Sequence, residues 1–83
     1  MALIVPPHVL KELEAAPRDV AKRLRDRLER ITGSPFAQQP GVKPMSDEPG
    51  SFRVRQGDWQ AIYSVADGDV IVERVGHRKG VYR

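Results

Sequence analysis

The chain has 83 residues, 40% hydrophobic and 30% charged, with no cysteine and a formal net charge of +3. That length suits one domain over 1–83, the composition is globular rather than disordered, and the lack of cysteine excludes disulfides and thiolate metal sites. The opening Ala2-Leu3-Ile4-Val5 is too short for a signal peptide, and no apolar run approaches the roughly 20 residues of a membrane span, so a cytoplasmic protein without membrane contact is expected.

Residues 2–5 read as a short strand. Val9, Leu10 and Leu13 stand at helical spacing and predict a helix over 7–16. Pro17 cannot continue that helix but suits the first turn of another. From 17 to 32, Val20, Ala21, Leu24, Leu28 and Ile31 recur at three- and four-residue steps and define one apolar stripe. The charged residues off that stripe, Lys22, Arg23, Arg25, Asp26, Arg27, Glu29 and Arg30, read as solvated scaffold, and Gly33 is a natural C-terminal cap. Residues 33–50 carry Pro35, Pro40, Pro44, Pro49 and three glycines, and read as a loop in which Lys43 and Met45 are the anchors. Strands are expected at about 51–56, 59–66 and 69–76, joined by tight turns at Gln56-Gly57-Asp58 and Asp67-Gly68. The fold class is therefore α+β: a short N-terminal strand, a two-helix hairpin, then a three-stranded antiparallel meander whose one face the helices cover.

Charge is uneven along this plan. Residues 74–83 hold Arg74, Arg78, Lys79 and Arg83 with no acid, so the other 73 residues sum to −1 (+3 minus +4). A concentrated basic end is either a footprint for a polyanion or a solvated tail. In Ser51-Phe52-Arg53-Val54-Arg55, strand alternation puts Phe52 and Val54 on one face and the arginines on the other, about 7 Å apart, a spacing that suits successive backbone phosphates. By itself this is equally the ordinary polar-out pattern. Beyond it, Gly76 is expected to loosen the strand end, so that His77, Arg78 and Tyr82 gather in a short tail beside the meander. Histidine can move protons near neutrality, arginine can stabilise charge on a phosphoryl group, and tyrosine can stack on a base.

The run from Phe52 to Tyr82, F-R-V-R-Q-G-D-W-Q-A-I-Y-S-V-A-D-G-D-V-I-V-E-R-V-G-H-R-K-G-V-Y, resembles the C-terminal half of the RelE family of toxin–antitoxin toxins. It shares an aromatic–basic–X–basic strand, a Gly-Asp-aromatic turn, an Ile-Tyr, an acidic-Gly hairpin and a closing Gly-His-Arg with a nearby tyrosine. The helical half, with its leucine-rich stripe, Pro17 and Gly-Ser-Pro-Phe ending, is also similar, and the likeness covers about residues 3–83. The resemblance implies a RelE-like fold and a toxin of a type II toxin–antitoxin system. Such toxins are ribosome-dependent endoribonucleases that cut messenger RNA in the A site, without metal or cofactor, by attack of the 2′-hydroxyl on the adjacent phosphate.

By the same resemblance, Arg53 and Arg55 match the basic pair of the family's strand. Because arginine stays charged, electrostatic roles are expected for both. Arg78 matches the arginine that steadies the transition state, and Tyr82 the tyrosine that stacks on and orients the nucleotide. His77, the neutral-pH proton carrier of the group, is the candidate acid or base. Gln60 departs from the pattern: it stands where the family usually carries arginine after the Gly-Asp-aromatic turn, and it brings no charge. Losing one such donor typically costs about 2.7–4 kcal/mol of transition-state stabilisation. The implied partners are the ribosome, messenger RNA and a cognate antitoxin whose acidic or amphipathic segment covers the basic face in a hetero-oligomer. Two other readings stay open: the ParE branch of the fold, which inhibits DNA gyrase and cuts no RNA, and a degenerate, non-catalytic antitoxin-binding module. The nuclease reading expects Arg53, Arg55, Arg78 and Tyr82 to converge on one phosphate-sized spot on the outer face of the meander.

Overall fold

Proline starts both helices of the computed structural model, which describes residues 2–34 and 41–78. Pro6, extended at φ −60° and ψ 157°, precedes α1 (Pro7–Glu14), and its carbonyl accepts from the N–H groups of Val9 and Leu10 at 2.9 and 3.0 Å. Pro17, also extended, is the N-terminal cap of α2 (Arg18–Gly33), one position earlier than the helical role expected for it. A proline there loses nothing, because the first N–H groups of a helix have no intrahelical partner. The stripe of α2 buries Leu24, Leu28 and Ile31, and α1 buries Val9 and Leu13.

The strands are β1 (Leu3–Ile4), β2 (Val42–Pro44), β3 (Ser51–Gln56), β4 (Trp59–Ala66) and β5 (Asp69–His77), in the sheet order β1-β5-β4-β3-β2. The expected meander is its antiparallel centre. β1 adds to it in parallel beside β5, with Leu3 opposite Val70 and Ile4 opposite Ile71. Between β4 and β5, Asp67 and Gly68 both take positive φ, 53° and 82°, as the tightest two-residue hairpin turn requires.

The segment 33–50 is not all loop. Val42, Lys43 and Pro44 pair with Val54, Arg53 and Phe52 as an edge strand, a position that tolerates Pro44 because its missing N–H can face solvent. The chain then turns through Glu48-Pro49-Gly50-Ser51, where Gly50 has φ 86° and Ser51 N–H donates to the Glu48 carbonyl at 3.1 Å. Met45, expected as an anchor, is buried against Ile62 in a small cluster of its own.

One side of the sheet meets both helices. Val54, Ala61, Tyr63, Val70, Val72 and Val75 form the core with Val9, Leu13, Leu24, Leu28 and Ile31, and Phe52 stacks on Tyr63 with ring centroids 5.5 Å apart. Burying one such aliphatic side chain contributes about 1.5–3 kcal/mol. The other side carries Lys43, Arg53, Arg55, Gln60, Ile62 and Arg74, by the alternation of each strand with its core residues.

β5 keeps both faces only by means of a bulge. Ile62 pairs with Arg74 but Tyr63 pairs with Val72, so Glu73 is an extra residue. Glu73 and Arg74 therefore both face outward: the Glu73 carboxylate accepts from the outward Ser51 hydroxyl at 3.0 Å, while Val75 returns to the core. Helix α1 holds this kink. The Glu12 carboxylate accepts from the Val75 N–H at 3.0 Å, and His8 Nε2 lies 3.4 Å from the Glu73 carbonyl.

Candidate functional site

The outer face presents its polar residues in two cross-strand rows. In one, Arg55 is in register with Gln60, and Gln60 with Gly76. Gln60 is 3% exposed, so it forms the floor of this row between Arg55 and Gly76. The row ends at the Gly57-Asp58 turn, where Gly57 has φ 62°. Two guanidinium groups belong to that turn. Arg55 Nε donates to the Gly57 carbonyl at 3.1 Å, and Arg78 Nε lies 3.5 Å from Asp58 Oδ1. The backbone also brings Arg78 there, since its N–H donates to the Asp58 carbonyl at 2.7 Å. Arg55, Gln60 and Arg78 are thus gathered at one end of the sheet, with both arginines exposed to solvent.

The second row runs Lys43, Arg53, Ile62, Arg74 across four strands. Ile62, fully buried under Met45, separates Arg53 from Arg74. Arg53 lies two residues from Arg55 on the same face of β3, as its alternation predicts. Arg74 ion-pairs with Glu48 at 2.8 Å.

Helix α2 reaches this site from behind. The Arg27 guanidinium donates to the Arg55 carbonyl and stands 3.4 Å from Gln56 Oε1, fastening the end of β3. It lies beside Gly41, whose positive φ of 74° is the conformation that favours glycine.

His77 is elsewhere. The expected fraying at Gly76 does not occur, because β5 runs on through His77, and the bulge reverses the parity of the residues after it. His77 therefore pairs with Trp59 on the helix side, ring edge to ring face with centroids 5.8 Å apart, across the sheet from the arginines. Tyr82, the fourth member of the expected convergence, lies outside the described residues. From the sequence Lys43 reads only as a loop anchor and Arg74 only as part of the basic C-terminal end, because neither the edge pairing of β2 nor the bulge in β5 has a local signal. Arg27, read as solvated scaffold, instead fastens β3. Among the described residues, no three histidine or carboxylate side chains come together as a metal-ligand set. No described helix is long and apolar enough to cross a membrane.

Solved toxins share this fold. RelE in the RelB–RelE complex of Methanococcus jannaschii superposes with a TM-score of 0.79 at 23% identity, over 99% of this chain and 95% of that one. The isolated E. coli RelE toxin gives 0.76 at 23% identity, over 96% and 88%. A chain of the YoeB–YefM complex from Staphylococcus aureus gives 0.74 at 14% identity, over 90% and 93%. The architecture is therefore that of the RelE-type toxins. No curated protein matches the sequence significantly. A family model does: the ParE toxin of the type II toxin–antitoxin system parDE matches residues 3–82, nearly the whole chain. The chain belongs to this family of toxins, within the RelE/ParE superfamily.

Proposed function

We propose that this toxin is an endoribonuclease that cuts messenger RNA in the ribosome, and that the outer face of its sheet is the reacting surface. The observation that carries the reading is the gathering of Arg55, Gln60 and Arg78 about the Gly57-Asp58 turn, with Arg53 beside them on β3. In the proposed reaction the 2′-oxygen bonds to the adjacent phosphorus, the bond from phosphorus to the 5′-oxygen breaks, and a 2′,3′-cyclic phosphate is left. The 2′-hydroxyl gives up its proton to water and the 5′-oxygen takes one from water. The crowded phosphorane between them carries two negative charges, and permanently charged guanidinium groups placed beforehand stabilise it without reorganising.

Arg55 and Arg78 are assigned to that charge and Arg53 to a neighbouring phosphate, with Gln60 donating a hydrogen bond from the floor. The placement of His77 supports a site that works mainly by electrostatics and positioning, and Tyr82 is assigned to base stacking from the family pattern. We further propose that a cognate antitoxin, through an acidic or amphipathic segment, covers this basic face in a hetero-oligomer, as complementary charge favours. RelE of M. jannaschii and YoeB of S. aureus are each seen in complexes with an antitoxin. Action on ribosomes places the toxin in the cytoplasm.

The ParE family match and the uncharged Gln60 favour a second reading, inhibition of DNA gyrase without RNA cleavage. Primer extension on messages after induction, run beside a gyrase supercoiling assay, separates the two. Cuts at A-site codons with unimpaired supercoiling are expected, whereas intact messages with blocked supercoiling overturn the nuclease reading.

A further inference from the structure

On the outer face, Arg74 takes its partner from a distant part of the chain. Arg74 lies on β5, and Glu48 lies in the turn joining β2 to β3, yet their side chains meet at 2.8 Å. To make that pair the turn folds over β4, burying Ile62 under Met45 on the way. Arg74 owes its outward direction to the bulge at Glu73, without which the alternation of β5 aims it at the helices. It stands in the same cross-strand row as Lys43 and Arg53, with Ile62 between. At the ordinary spacing of strands, Arg53 and Arg74 are about 10 Å apart at the backbone, within reach of neighbouring phosphates on a single strand for two long side chains. Both members of the pair keep more than a third of their side-chain surface in solvent, 37% for Arg74 and 40% for Glu48, so an incoming anion has access.

We propose that Arg74 is a further phosphate-contacting residue, and that the Glu48 carboxylate occupies its guanidinium until a backbone phosphate of single-stranded RNA displaces it. The assignment rests on the reading of the outer face as the RNA surface. Glu48 thereby sets the affinity: it substitutes for the phosphate in charge and geometry, and RNA has to break one exposed ion pair to engage the row.

The test is binding of a short single-stranded RNA oligomer to the full chain, followed by fluorescence anisotropy across a salt series. Arg74→Gln is expected to weaken binding and to flatten the slope of log K against log salt by about 0.7, the loss of one phosphate contact on a single strand. Arg74→Lys is expected to keep the slope. Glu48→Gln is expected to tighten binding about two- to fivefold, the range of an exposed ion pair, and to have no effect once Arg74 is glutamine. An unchanged slope in Arg74→Gln, or equal tightening by Glu48→Gln in both backgrounds, overturns the proposal. Arg53→Gln is the reference. If it weakens binding while Arg74→Gln does not, only the assignment of Arg74 fails. If Arg53→Gln binds as wild type does, the outer face is not the RNA surface and the functional reading fails with it.

Discussion

His77 meets Trp59 edge to face, ring centroids 5.8 Å apart, on the side of the sheet that the helices cover. The contact ties the end of β5 to the start of β4, and it removes from the arginine face the histidine that the sequence places there. Replacing His77 by Gln is therefore expected to leave RNA cleavage within roughly twofold of wild type, since a group that touches no reacting atom stabilises no transition state. The loss falls on stability, about 0.5–1.5 kcal/mol for the aromatic pair. Cleavage kinetics and a urea melt on one preparation separate these effects, and a collapse in rate with unchanged stability contradicts the placement.

The bulge that reverses β5 depends on α1. Glu12→Met keeps the length and apolar stem of the side chain but removes the acceptor for the Val75 N–H. Leaving that donor unsatisfied is expected to cost about 1–3 kcal/mol, seen as a lower denaturation midpoint, with faster amide exchange at Val75. Wild-type protection at Val75 in this variant is the contrary result.

Gln60 stands in register between Arg55 and Gly76 and is almost fully buried. Gln60→Arg adds a charged donor at the floor of the site. Cleavage is expected to rise by up to about 10²-fold, the lower end of what one such donor supplies. Single-turnover rates check this; a lower rate means that a buried guanidinium there disturbs the site more than its charge helps.

Burial in the core raises the pKa of the Tyr63 hydroxyl above its ordinary value of 10.0. The phenolate is more costly in the folded chain than in the unfolded one, so unfolding releases a proton there. The stabilisation from this group is constant below pH 10.0 and falls as pH climbs through the raised native value. Urea melts at about pH 8 and about pH 11 are expected to show a larger alkaline loss in wild type than in Tyr63→Phe. Equal losses in the two proteins contradict this account of Tyr63.

Both helices were legible from the spacing of Leu24, Leu28 and Ile31 and of Val9 and Leu13, because a buried stripe has to recur with the helical period. The turns at Gly57-Asp58 and Asp67-Gly68 were legible because few residues accept positive φ. What the sequence hid is what depends on partners far along the chain. Leu3 and Ile4 do not announce that they pair in parallel with β5, and Val42-Lys43-Pro44 reads as loop until β3 is available to pair with it. The Val72-Glu73-Arg74-Val75 run contains neither glycine nor proline, so nothing local marks the bulge; its signal is that Val72 and Val75 both enter the core three residues apart. That one extra residue decides the faces of Arg74 and His77. Arg53 and Arg55, which lie on a strand without a bulge, stand where alternation alone puts them.

The most direct test of the account is the rate of cleavage of a defined message on programmed ribosomes by wild type and by Arg78→Ala. Arg78 is held at the Gly57-Asp58 turn by its exposed contact with Asp58, so its loss is expected to leave the melting transition nearly unchanged. The account predicts cuts at the A-site codon by wild type and a rate at least about 10²-fold lower in Arg78→Ala. Equal rates in the two proteins, or intact message with the wild-type toxin, contradict it.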